Sequence, residues 1–232
     1  MSSQQRWKVH KRGDPILFKD RADAGRRLSS ALSPFKRQDV IVFALPRGGV
    51  AIGVEVASEL DAPLDIITVR KVGHPQCTEY AIAAVAEDGD MVTNPPELEQ
   101  VDAAWFRSEA RLQQQEARRQ RHAYMGNRTP LAAAGKIAIL VDDGLATGLS
   151  MLAAIGEVRH LNPQKIIVAI PVAAASAVRT LMASADEVIA LQTSENVRSI
   201  GSFYTRFDEL TDADVVQLIR KVELPCKSWT PS

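Results

Sequence analysis

Apolar residues along the chain fall into short unbroken runs, and most runs are followed by a segment in which apolar residues recur every three or four positions. The runs are Asp39–Ala44, Leu64–Val69, Ile137–Val141, Lys165–Val172 and Glu187–Leu191. They do not alternate with polar residues, as half-exposed strands would, so each predicts a strand covered on both faces. Helical spacing follows at Val50–Leu60, Ser150–His160 and Ala174–Met182. A first helix is expected over Ala24–Leu32, entered through Asp20 and Asp23 and ended before Pro34. A last helix, Val215–Val222, follows the capping sequence Thr211-Asp212-Ala213-Asp214. Strands alternating with helices imply right-handed crossovers. The expected fold class is therefore α/β, a mostly parallel Rossmann-like sheet flanked by helices.

Three segments break this rhythm. Ala81–Ala86 and Met91–Thr93 are apolar runs separated by Glu87-Asp88-Gly89-Asp90, which reads as a β-hairpin. Pro96–Tyr124 reads as one long helix with a thin apolar stripe, Val101, Trp105, Ser108 and Leu112. So narrow a stripe predicts packing over an edge or against a second copy, which favours a homodimer. Gly126–Gly135 is a linker back to the core. Last, Val197–Phe207 holds Phe203, Tyr204 and Phe207, aromatics that either stack on a flat ligand or pin the tail to the core. The expected organisation is one domain over 1–232, with a core of about 36–95 and 136–192, an inserted helix at about 96–125 and a C-terminal hood at about 193–232.

Charge narrows the function classes. Among 232 residues, 28 basic side chains balance 28 acidic ones, so no global field draws nucleic acid. Arg107, Arg111, Arg118, Arg119 and Arg121 are interleaved with Glu97, Glu99, Asp102, Glu109 and Glu116, the pattern of a solvated, salt-bridged face. Arg21, Arg26 and Arg27 on the first helix read the same way. No apolar run is long enough to span a membrane, and Met1–Arg6 is polar and loosely ordered, without the apolar core of a signal peptide. Cys77 and Cys226 lie far apart with no metal-ligand spacing. A cytoplasmic protein without a structural disulfide is expected.

The chemistry concentrates in Ile137–Ser150. A strand there ends in Asp142 and Asp143, and a loop of small and hydroxyl residues leads into a helix. Ligands of open α/β sheets bind beyond the carboxyl ends of strands, and helix N-termini hold anions. Ala146, Thr147, Gly148, Leu149 and Ser150 supply close backbone and hydroxyls for a phosphate. Two acids beside that phosphate suit a ligand that also carries hydroxyls or a cation, such as a sugar phosphate. A second strand–turn–helix unit carries Arg47, Gly48 and Gly49, suited to a diphosphate. Arg70 and Lys71, expected at the carboxyl end of the Leu64–Val69 strand, would extend that charge.

The string Val141–Ser150 resembles the phosphoribosyl-diphosphate loop of type I phosphoribosyltransferases, and Leu45–Gly49 resembles the family's pyrophosphate loop. With Val69-Arg70-Lys71 and Ala81–Gly89, the chain is similar to a bacterial branch known mainly from sequence, over about 18–90 and 136–218. The resemblance implies transfer of phosphoribosyl from phosphoribosyl diphosphate to a nitrogenous acceptor, with Mg²⁺ and release of pyrophosphate. It gives catalytic roles to Asp142, Asp143 and Lys71, with Mg²⁺ carried by the substrate near the two acids and no direct protein ligand. It implies a mobile loop near Glu79–Asp90, and a hood in which Phe203, Tyr204 and Phe207 hold the acceptor. Ala146 stands where 6-oxopurine enzymes carry a third acid, so hypoxanthine and guanine are disfavoured. Gly144 replaces a common bulky apolar residue. A non-catalytic binder of the same ligand, contacting RNA, and a sugar-phosphate hydrolase or phosphotransferase remain alternative readings.

Overall fold

The computed structural model of the protein describes residues 7–9 and 17–223. In chain order the first elements are β1 (Trp7–Val9), α1 (Arg21–Ala31), β2 (Val40–Ala44), α2 (Gly48–Leu60) and β3 (Leu64–Ile66). Next come β4 (Val69–His74), β5 (Cys77–Ala86), β6 (Met91–Thr93), α3 (Pro95–Leu98) and α4 (Ala103–Met125). The chain then runs through β7 (Ile137–Val141), α5 (Leu149–His160), β8 (Lys165–Ala174), α6 (Ala175–Leu181), β9 (Glu187–Ser194) and α7 (Asp212–Glu223).

Six strands form a parallel sheet in the order β1-β9-β8-β7-β2-β3. β2 connects outward to β3, whereas its neighbour β7 connects the opposite way, to β8. The crevice for a ligand opens where two such connections diverge. Ala44 and Val141 are register partners at that point, so the loops after β2 and β7 start side by side.

Every residue of β2 and of β7 is buried, because helices cover both faces. Val42, Ile139 and Val141 face one core with α1, α2 and α7; Phe43, Leu140 and Val168 face the other with α5 and α6. Trp7–Val9, which the apolar pattern does not mark as a strand, pairs with Val188–Ala190 along the sheet edge. Residues 1–6 and Cys226 lie outside the described residues; Cys77 is exposed and unbridged. Among the described residues, no helix is long and apolar enough to cross a membrane.

The expected hairpin is present, as β5 and β6 in a separate antiparallel sheet with β4. The apolar run Leu64–Val69 is not one strand. β3 stops at Ile66, and Arg70 and Lys71 lie in β4 of the second sheet rather than at the end of a parallel strand. Apolarity carries on across the break because both sheets bury their ends there. Glu79–Asp90 is likewise not a loop, since most of it is β5, with Ile82 and Ala83 buried against Val72.

The expected long helix is two helices. Prolines open α3, and Asp102 restarts the chain as α4 by accepting from the Trp105 amide at 2.7 Å. Of the expected stripe, Val101 and Trp105 pack on the second sheet, joined by Phe106 and Ala110, whereas Leu112 is exposed. Further along, α4 buries a charged residue beside Ala117, Tyr124 and Met125. Buried Arg121 pairs with Asp65 at 3.1 Å and with Glu87 at 3.2 Å. Asp65 also accepts the Leu131 amide, so one acid ties β3, α4 and the linker together. Arg118 donates to the Glu87 carbonyl, and Arg119 pairs with Glu116.

Candidate functional site

The two loops at the crevice touch, and glycine is the reason they can. A β-carbon on Gly48 would lie 1.9 Å from Oδ2 of Asp143, and one on Gly49 would lie 2.8 Å from the Val141 carbonyl oxygen. Glycine supplies the room for such an approach. The first loop turns through a cis Pro46–Arg47 peptide into α2. The second is held to β8 by Leu145, whose amide donates to the Val172 carbonyl and whose carbonyl accepts from Ala174. It enters α5 through Gly148 at φ 81°, a conformation that favours glycine. Among the described residues no side chain caps that helix. Its first amides are thus available to an anion, beside exposed Thr147 and half-buried Ser150.

Asp142 and Asp143 stand at the floor. Oδ1 of Asp142 accepts the Asp143 amide at 2.8 Å. Burial holds the Asp142 carboxyl well above the ordinary carboxylate range, and the neighbouring charge of Asp143 adds to this. Lys71 and Arg21 act in the opposite direction. Burial also raises Asp143, against the pull of its bond to Arg21. Such a pair favours a ligand that donates hydroxyl protons or brings positive charge.

The main cleft, about 750 Å³, is lined by Arg47, Gly48, Arg70, Lys71, Asp142, Asp143 and Ser150. Those residues come from two sheets and stand far apart in the sequence. Gly49 lies behind them at the start of α2, packed against β7. Ala146 borders a second cavity of about 370 Å³, lined by Ser176, Glu195, Asn196 and Arg198 among others. Thr147, Gly148 and Leu149 line neither of these two cavities.

Phe203, Tyr204 and Phe207 line neither of these two cavities. Their contacts pin the tail to the core. Tyr204 is buried, packs at a tilt between Phe18 and Phe207, and donates its hydroxyl to the Asp143 carbonyl at 2.6 Å. Ile200, on the turn before Phe203, fills the space that a side chain at Gly144 would take, its Cγ2 standing 2.5 Å from that β-carbon position. The small residue in the loop is thus matched by a bulky one from the tail.

Arg21 overturns the expectation of a solvated arginine face. Its Nε donates to Asp143 Oδ2 at 2.8 Å, its Nη1 donates to the Asp208 carbonyl at 2.7 Å, and its guanidinium lies 3.8 Å over the Phe207 ring. Arg47 pairs with Glu209 of the same segment. Sequence periodicity misses Arg21 because it opens α1 among other arginines. Trp105, Glu109 and Gln113 of α4 and Thr78 of the β4–β5 hairpin also line the cleft. The sequence pattern marks Trp105 only as packing and Glu109 only as part of a solvated face. Gln113 accepts from Arg70 Nε at 3.2 Å.

The sequence model of the phosphoribosyl transferase domain matches residues 18–205. The chain belongs to this family. The matched phosphoribosyl transferase domain begins and ends on partners in space, since Phe18 bridges to Tyr204. It is similar to the TT1426 protein from Thermus thermophilus, a crystal structure, with 40% identity and a TM-score of 0.75 over 89% of this chain and 99% of that one. It is also 37% identical over 205 residues to a Mycobacterium tuberculosis H37Rv protein, Rv0571c, provisionally named a phosphoribosyl transferase. A counterpart in strain CDC 1551, MT0597, matches equally. The alignment covers 88% of this chain and 46% of the mycobacterial proteins, so the chain spans about half their length.

Proposed function

We propose that the protein transfers a 5-phosphoribosyl group from phosphoribosyl diphosphate to a nitrogen of a heterocyclic acceptor, with release of pyrophosphate. The observation that carries this is the contact of the two loops across Gly48 and Asp143. It sets an anion-binding helix start, paired carboxylates and a cluster of basic side chains around one crevice. One sugar phosphorylated at both ends presents the complementary groups.

Thr147, Gly148, Leu149 and Ser150, with Ala146, would hold the 5-phosphate. Arg47, the Gly48–Gly49 amides, Arg70 and Lys71 would hold the diphosphate. In the reaction the bond from the anomeric carbon to the diphosphate oxygen breaks, and its electron pair leaves with pyrophosphate. Positive charge then spreads over the ring until the acceptor nitrogen donates its lone pair to that carbon. Asp142 and Asp143 would accept hydrogen bonds from the ribose hydroxyls and place negative charge beneath the cation. Lys71 and Arg47 would stabilise the leaving group, and the fixed loops would hold the reactants in line.

The donor set suits Mg²⁺, because two recessed carboxylates beside a phosphate site supply hard oxygen ligands or bind the waters of a substrate-held ion. Bound with the diphosphate, Mg²⁺ supplies charge neutralisation. The acceptor is assigned to the cavity beyond Ala146, where Ser176, Glu195, Asn196 and Arg198 offer donors and acceptors to a ring edge.

The test is pyrophosphate release from phosphoribosyl diphosphate and Mg²⁺ across a panel of purine, pyrimidine and other nitrogen heterocycles. Release that requires one acceptor, with the matching ribonucleotide formed, supports transfer. Release without any acceptor indicates hydrolysis, and tight binding without release indicates a binding protein.

A further inference from the structure

A second cluster of chemically capable side chains lies away from the cleft, where the β5–β6 turn meets α5. Asp88 and Asp90 flank Gly89 on the turn, and His160 closes the helix. Oδ1 of Asp88 is used by the turn, accepting the Asp90 amide at 2.8 Å. Its Oδ2 lies 3.4 Å from Nδ1 of His160, and Oδ2 of Asp90 lies 3.6 Å from the same nitrogen. One imidazole N–H serves one acceptor, so the hydrogen-bonding capacity of His160 does not satisfy both carboxylates. The spacing matches a different arrangement: ligand atoms ~2.1 Å from a tetrahedral ion stand ~3.4 Å apart.

An independent observation points the same way. Glu157 is 7% exposed, and its Oε2 has no hydrogen-bond partner among the described residues. Buried polar atoms ordinarily have partners, and an orphan needs a cause. Glu157 precedes His160 by three positions, so both lie on one face of α5. Burial pushes its carboxyl up to about 9, and the negative charges of Glu87 and Asp88 add to this. Gly156 opens the approach, since a β-carbon there would lie 2.7 Å from Asp90 Oδ2.

We infer that Asp88, Asp90 and His160 form a binding site for a first-row divalent transition cation of the Zn²⁺ or Mn²⁺ type, with the buried Glu157 one turn earlier on α5. One imidazole with several carboxylates selects such ions over Mg²⁺ and Ca²⁺, which prefer oxygen alone. None of the four residues lines the cleft. Bound there, the ion clamps the β5–β6 turn to α5, the helix that begins at the phosphate loop.

The full chain, carrying Cys77→Ser and Cys226→Ser to remove thiol ligands, is stripped with EDTA and titrated with Zn²⁺ and with Mn²⁺. Heat of binding and thermal unfolding are followed. One Zn²⁺ per chain and a rise in Tm are expected, with no rise in equimolar Mg²⁺. His160→Ala, a change at an exposed position, should leave the metal-free Tm in place and weaken Zn²⁺ binding by at least about tenfold. Glu157→Gln should weaken it as well. Zn²⁺ affinity equal in the parent and His160→Ala proteins would overturn the site, as would the absence of any Tm rise with either ion.

Discussion

Arg21 Nε stands 2.8 Å from Oδ2 of Asp143, joining the first helix to the acid at the centre of the cleft. Both side chains are largely buried, at 12% and 15% exposure. Removing one partner leaves the other charge short of solvent, a cost of about 2–3 kcal/mol for a pair this enclosed. Arg21→Ala should lower unfolding free energy by that amount in denaturant titrations and should also reduce turnover. Arg21→Ala with Asp143→Asn should cost less than the sum of the single changes, because each loses the same bond. Strict additivity would separate the two residues.

Gly144 and Ile200 make a second coupled pair. A side chain at 144 would meet Ile200 Cγ2 at 2.5 Å, inside contact distance. Gly144→Val should destabilise by about 1–3 kcal/mol through overpacking. Ile200→Ala should recover much of that loss in the double variant. Thermal unfolding of the four proteins gives the coupling directly, and a double variant no better than Gly144→Val would contradict the packing.

The arginines of α4 should divide sharply. Arg121 is buried between Asp65 and Glu87, so Arg121→Met should cost roughly 3–5 kcal/mol and loosen α4. Arg119→Ala, which removes a surface pair with Glu116, should cost no more than about 1 kcal/mol. Circular dichroism melts of the two variants distinguish this division from a uniformly solvated helix face.

Asp20 gives a pH signature. It caps α1 by accepting the Asp23 amide at 2.9 Å and pairs with Arg206, and these bonds, the cap first, hold its carboxyl below the ordinary carboxylate value. A lowered folded value means the folded state binds the proton less readily than the unfolded one. The stabilisation is therefore complete above the unfolded carboxylate pKa of about 4 and fades as pH falls through the lowered folded value. Asp20→Ala should cost about 1 kcal/mol at neutral pH, and much less in acid. A loss of stability independent of pH would assign Asp20 some other role.

The strand runs and the two loops were legible because a doubly covered parallel strand is continuous in apolar residues and a phosphate loop is local in sequence. Ala44 beside Val141 then follows from topology. What stayed hidden was either polar packing or contact between distant segments. Arg121 is buried on α4 through its charge pairs, which a hydrophobic stripe cannot display. Arg21 joins Asp143 across the whole fold, and nothing local marks it. The aromatics at Phe203–Phe207 were visible as a cluster, but whether they met a ligand or Phe18 depended on where the tail returned. The Leu64–Val69 run looked like one strand because both sheets bury apolar ends at the break.

The most direct test is calorimetric binding of phosphoribosyl diphosphate with Mg²⁺, set beside ribose 5-phosphate and pyrophosphate, in wild-type protein and in Arg47→Ala. A shared two-loop site predicts that all three ligands bind the wild type, and that ribose 5-phosphate and pyrophosphate each compete with phosphoribosyl diphosphate. It also predicts that Arg47→Ala weakens phosphoribosyl diphosphate and pyrophosphate by about tenfold or more, roughly the loss of one charge-assisted contact, while ribose 5-phosphate is unchanged. Failure of phosphoribosyl diphosphate to bind the wild type, or equal affinities in both proteins, would contradict the account.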